Sequence, residues 1–142
     1  MKNSEMKMMK HFMQLVAMCV LTVGLSSCQK DEEIYDELMG SEWVGDLGFS
    51  FDDRPVISEL YFIDNGTGSD KQYYAGSASN AKPACNLTFQ WTIKNGTLTL
   101  IYDLRPPLIL EIGGMYIKGN LLRGTLHLAG EEDMPVTLTR KK

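Results

Sequence analysis

Two periods of hydrophobicity divide the chain. From Phe12 to Leu25 the residues are almost continuously apolar. From Glu42 onward, apolar and polar residues alternate in short runs separated by Gly, Asn and Asp, the pattern of β-strands joined by turns. The clearest run is LTFQWTIKNGTLTLIYD. Leu87, Phe89, Trp91 and Ile93 alternate with Thr88, Gln90, Thr92 and Lys94. Asn95-Gly96 suits a two-residue type I′ turn, whose central positions both need positive φ. That turn pairs Ile93 with Leu98, Trp91 with Leu100 and Phe89 with Tyr102, so turn chemistry and hydrophobic pattern agree.

A second hairpin is predicted in MYIKGNLLRGTLHL, with Gly119-Asn120 at the turn, Ile117 facing Leu122 and Tyr116 facing Arg123. Leu108, Leu110 and Ile112 have the opposite parity to Met115 and Ile117. Gly113-Gly114 lies where the parity changes, which predicts a β-bulge; a separate turn is the competing reading. In ISELYFIDNGTGSDKQYY, a turn running through Gly68 pairs Leu60 with Tyr73, whereas a strict Asn65-Gly66 turn pairs it with Lys71. The longer turn is favoured. Strands at Glu42–Phe51 and Met134–Arg140 bring the expected number to eight.

Short links and the lack of intervening helices favour antiparallel pairing. Eight such strands leave two vulnerable edges unless the sheet closes. The expected fold is therefore all-β, an eight-stranded antiparallel up-and-down barrel, with a β-sandwich as the alternative. The irregular stretch AGSASNAKPAC is expected as a loop at the barrel rim. Ahead of the strands, Ile34, Tyr35, Leu38 and Met39 fall at helical spacing, with acidic residues in the first turn and Gly40 placed to end the helix.

The apolar N-terminal run changes the picture of where such a domain would reside. Lys2, Lys7 and Lys10 precede it, and the small residues Gly24, Ser26 and Ser27 follow. A positive start, a short apolar core and small residues before a cut describe a secretory signal peptide, and the run is too short for a membrane span of roughly 20 residues. Leu25-Ser26-Ser27-Cys28 resembles the bacterial lipobox. That resemblance implies a leader at 1–27, cleaved before Cys28, and acylation of Cys28. Two or three acyl chains, at about 0.8 kcal/mol per buried methylene, hold a protein at a membrane where one does not. Lys30, Asp31, Glu32 and Glu33 resemble the export tag of Bacteroidota lipoproteins. They imply an outer-membrane, lipid-anchored protein facing the cell exterior, with residues 28–40 as a charged tether.

The segment 41–142 resembles the lipocalin-like lipoproteins of Bacteroidota, through EWVGDL, YFIDNGTGS and LTFQWTIKNGTLTL. True lipocalins start with glycine, any residue, tryptophan; Gly40 and Trp43 are one residue too far apart. The resemblance implies a late arginine covering Trp43 at the closed end, with Arg140 preferred over Arg123. It also implies a small apolar or amphipathic ligand. Inward-facing residues would be Phe89, Trp91, Leu98, Leu100, Tyr102, Leu110 and Leu126, which either line a cavity or simply fill a small barrel.

Composition narrows the functions further. The net charge is −4, and the part after Cys28 is more acidic still, so no basic stripe is available for nucleic acid. Of the three cysteines, Cys85 stands alone in the strand region and reads as a small, partly buried strand residue rather than a nucleophile. Asp52-Asp53 and Glu131-Glu132-Asp133 read as solvated turns, and His127 is expected to point outward without a nucleophile beside it. No metal, cofactor or catalytic set is expected, and the chain reads as a non-enzyme. The second functional class is an accessory subunit of an envelope assembly, which would use Tyr61, Ile63, Ile101 and Ile109 as an exposed apolar patch.

Overall fold

The computed structural model describes residues 29–141. The leader and Cys28 therefore lie outside the described residues. A helix, α1 (Asp31–Leu38), precedes β1 (Glu42–Gly45), β2 (Ser50–Phe51), β3 (Arg54–Ile63), β4 (Thr67–Tyr74), β5 (Cys85–Lys94), β6 (Thr97–Tyr102), β7 (Leu108–Lys118), β8 (Leu121–Leu128) and β9 (Met134–Lys141). Every strand pairs antiparallel with its sequence neighbour from β3 to β9, and β1 pairs with both β3 and β9. The eight strands β1 and β3–β9 thus close into an up-and-down barrel without free edges. The expected barrel is the observed one, and the sandwich is not.

The strand expected over Glu42–Phe51 is interrupted. β1 leaves the barrel wall at Gly45, and β2 pairs only with the start of β3. Asp52 and Asp53 form the two-residue turn between β2 and β3, at φ of 51° and 58°. Aspartate tolerates this left-handed region better than most side chains, which is why the pair suits a tight hairpin. The intervening stretch Asp46–Phe49 folds back over the barrel mouth, burying Leu47.

The Asn95-Gly96 hairpin forms with the expected register, Ile93 opposite Leu98 and Phe89 opposite Tyr102. β7 is continuous, and its register against β8 shifts between Gly113 and Tyr116, a bulge at the two glycines. Ile117 opposes Leu122 and Tyr116 opposes Arg123.

The β3–β4 hairpin departs from both expected registers. Leu60 opposes Asp70, not Tyr73 or Lys71, because the loop is the three residues Asp64-Asn65-Gly66 between paired Ile63 and Thr67. Gly66 has φ +79° and its amide donates to the Ile63 carbonyl at 3.2 Å, while Asn65 Oδ1 accepts the Thr67 amide at 3.1 Å. A turn closed by a left-handed glycine is the usual three-residue solution. The register places Gly68, Asp70 and Gln72 on the inner face. Gly68 is required there: a Cβ would lie 2.5 Å from two atoms of the Phe89 ring.

The two ends of the barrel are built differently. At one end, α1 buries Ile34 and Leu38 completely against the core, next to Trp43. This is the end of the β3–β4, β5–β6 and β7–β8 turns. The other end carries the longer connections 75–84, 103–107 and 129–133, and the Asp46–Phe49 stretch.

Candidate functional site

At the helix end, sequence-distant polar groups fasten α1 to the barrel. The Asp31 carboxylate accepts the amides of Asn95 and Gly96, both at 2.8 Å. Those turn amides would otherwise face solvent, and a carboxylate accepting two N–H groups is a charge-assisted contact. Gln29 exchanges two hydrogen bonds with the Ile117 backbone, at 2.7 and 2.6 Å. The charged segment, expected to hold a short helix, is packed on the end of the barrel from Gln29 onward. Lys30, Glu32 and Glu33 remain exposed, whereas Asp31 is occupied by the turn.

Trp43 is completely buried and donates its indole N–H to the Leu38 carbonyl at 3.3 Å. The Arg140 guanidinium carbon sits 4.7 Å from the Trp43 ring centroid, within cation–π range. Arg140 also pairs with Glu37 on α1, so one side chain joins helix, last strand and first strand. Arg123 faces outward on β8 and is exposed.

The inward residues expected from alternation, Phe89, Trp91, Leu98, Leu100, Tyr102, Leu110 and Leu126, are all buried in one continuous core. An aromatic chain runs the length of the barrel through them. Tyr35 on α1 stacks on Trp91 at 4.9 Å; Trp91 meets Phe62 edge-on at 5.1 Å; Phe62 meets Phe89, Phe89 meets Tyr102, and Tyr102 meets Phe49 at the far mouth. Such pairs contribute about 0.5–1.5 kcal/mol each beyond area burial.

Toward the loop end the core becomes polar. Ser58, Asp70 and Gln72 are buried inside the wall made by β3 and β4. Three donors converge on Asp70 Oδ2: the Tyr102 hydroxyl at 2.8 Å, the Ser58 hydroxyl at 3.1 Å and the Gln72 amide at 3.1 Å. Asp70 Oδ1 is buried without a protein donor. Burial pushes the Asp70 carboxyl above its usual range, opposed by the hydrogen bonds from Tyr102, Gln72 and Ser58 and, least, by the Glu59 backbone amide. Burial and the neighbouring Asp70 likewise hold the Tyr102 hydroxyl well above its ordinary value.

Cys85 joins the edge of this set, its Sγ donating to Gln72 Oε1 at 3.1 Å. Burial and the charge of Asp70 raise its thiol. Both influences disfavour thiolate, and a nucleophilic cysteine needs the reverse.

Apart from Tyr102 and Cys85, which was read as a partly buried strand residue, this cluster was absent from the sequence-based candidates. Its members come from β3, β4, β5 and β6, and only the observed β3–β4 register turns Asp70 inward. The alternation Val56, Ser58, Leu60, Phe62 was the one available hint that Ser58 shares the core face.

The other candidates are peripheral. His127 is exposed and pairs with Asp133 across the β8–β9 turn, which raises its imidazole above the ordinary value. Among the described residues, no group of three or more His, Cys, Asp or Glu is placed to hold a metal ion. No helix among them is long and apolar enough to cross a membrane. The outward apolar residues fall into separate places: Ile101 and Ile109 are cross-strand partners on β6 and β7, while Tyr61 and Ile63 lie on β3, with β4 and β5 between. No family model, curated protein or solved structure matches the chain.

Proposed function

We propose that the chain is a non-enzymatic cell-envelope lipoprotein, anchored through acylated Cys28 in the outer membrane and facing the cell exterior. Its barrel takes a small amphipathic ligand at the loop end. The observation that carries the ligand reading is the buried Asp70 cluster. A completely buried carboxylate with an oxygen lacking a protein donor is costly to a fold and serves no packing purpose, so such groups gather at functional sites. The helix half is closed by Trp43, Ile34 and Leu38, so the ligand is assigned to the half lined by Tyr102, Phe89 and the polar set.

The anchor reading is supported by the lysine-led apolar run ending in Leu25-Ser26-Ser27-Cys28. It is also consistent with the docking of Gln29, the residue following Cys28, at the end of the barrel opposite the polar cluster. Consecutive Cα atoms are about 3.8 Å apart, so this arrangement turns the helix end toward the lipid and the loop end away from it.

The reading is tested in three ways. Cys28→Ser should abolish fatty-acid labelling and membrane retention, and unchanged retention sinks the anchor. Protease added to intact cells should remove the barrel. Native mass spectrometry of the full chain after exposure to lipid and bile extracts should reveal a retained small molecule. An accessory subunit of an envelope assembly is the second reading; it draws on the exposed Ile101–Ile109 pair, and protein capture that fails on Ile109→Lys would favour it.

A further inference from the structure

We infer that the loop half of the barrel is a site for an organic cation, a protonated amine carried on an apolar body, with Asp70 Oδ1 as its acceptor. This deepens the small-ligand reading above and rests on it. The first ground is the hydrogen-bond pattern. Ser58, Gln72 and Tyr102 all direct their donors to Oδ2, leaving the lone pairs of Oδ1 to a group from outside the protein. A hydroxyl could satisfy that oxygen. An ammonium satisfies it and also neutralises the charge, and charge-assisted contacts are roughly twice as strong as neutral ones.

The second ground is the charge pattern. The ion pairs among the described residues use Glu37, Glu42, Glu59 and Asp133 as their acids; Asp70 is in none of them. Arg140, the cation on an inner-face position of β9, is committed to Trp43 and Glu37 at the opposite end. A buried carboxylate without a counterion is expensive to keep ionised. Binding a cation removes that cost, whereas a neutral ligand of equal size does not.

The third ground is the lining and the route in. Phe89, Tyr102 and Phe49 form the far stretch of the aromatic chain, suited to an apolar body and to a cation over a ring face. The mouth above them is covered by Leu47 and Phe49, on backbone outside any barrel strand. Phe49 is half-buried and touches the Tyr102 ring edge-on at 5.6 Å. Gly48, at φ +81°, separates the two covering side chains. The Phe49 carbonyl accepts the Val56 amide at 3.0 Å, so it is the Phe49 side chain, not its backbone, that a ligand would have to displace to reach Tyr102.

The test is calorimetric titration of the full chain at pH 7 with cyclohexylamine and, in parallel, cyclohexanol. The two have nearly the same shape and differ in charge. The inference expects cyclohexylamine to bind at least tenfold more tightly, and expects Asp70→Asn to erase that preference. Should Asp70→Asn fail to fold, the amine-to-alcohol ratio of the unaltered chain still decides. Equal binding of both probes overturns the amine inference and leaves the small-ligand reading standing. Binding of neither overturns both, and identifies Asp70 as a structural group whose free oxygen is met by water.

Discussion

The two halves of the barrel use the same strands and opposite chemistry. The helix half is closed by Trp43, Ile34 and Leu38, each completely buried, and its polar contacts fasten helix to barrel: Asp31 to two turn amides, Gln29 to one backbone pair, Arg140 to Trp43 and Glu37, with Arg140 Nε alone left buried without an acceptor. The loop half places Ser58, Asp70 and Gln72 inside and covers them with the half-buried Phe49. One half is organised for stability. The other keeps Asp70, a buried carboxylate that is in no ion pair among the described residues, whereas the buried Arg140 Nε of the helix half belongs to a guanidinium already paired with Glu37. That asymmetry is the argument for function at the loop end.

The largest effect should therefore come from the helix half. Trp43→Ala removes a plug that contacts helix, first strand and last strand, and should cost about 3–5 kcal/mol in urea unfolding. Leu47→Ala, at the loop mouth, should fall at the low end of the roughly 2–5 kcal/mol range for buried leucine, since its backbone can relax. Equal losses at the two sites would erase the contrast.

Next comes the register that turns Asp70 inward. Gly68→Ala drives a methyl into Phe89, with contacts of 2.5 Å in the unrelaxed structure, and should cost about 1–3 kcal/mol by the same measurement. A neutral result would mean that β4 does not present Gly68, and hence Asp70, to the interior. A smaller loss, about 1 kcal/mol, is expected for Asp31→Ala, which strips the acceptor from the Asn95 and Gly96 amides. Thermal unfolding should show it as a lowered midpoint.

The last effect is a slope rather than a level. Burial raises the folded-state Asp70 carboxyl above its unfolded value. Its contribution to stability is then full below the unfolded value, near pH 4, and is lost as pH rises through the folded value. Melting temperatures of the parent chain should fall across that rise relative to those of Asp70→Asn. Parallel pH profiles would show that the carboxyl titrates alike in both states.

The helix half was largely legible in the sequence because its signals are local and agree with one another. Asn95-Gly96 names its own turn type, and the alternation of Trp91, Ile93, Leu98 and Leu100 then has only one register. The Gly113-Gly114 bulge was marked by a parity change. The loop half was illegible for a reason in the same physics. From Thr67 to Gln72 both faces of β4 are small or polar, so alternation cannot tell inside from outside, and the register rests on loop length alone. A loop one residue longer than the strict Asn65-Gly66 turn puts Asp70, rather than Lys71, opposite Leu60. The partners of Asp70 then arrive from β3 and β6 through barrel closure, which no local pattern announces.

The most direct test of the two-ended account is an amide shift map of the full chain as cyclohexylamine is added. The account predicts that the perturbed amides cluster at Ser58, Asp70, Gln72, Tyr102 and the Asp46–Phe49 cover, with Trp43, Trp91 and Leu122 silent. Perturbation centred on the helix half, or no perturbation in either half, would contradict it.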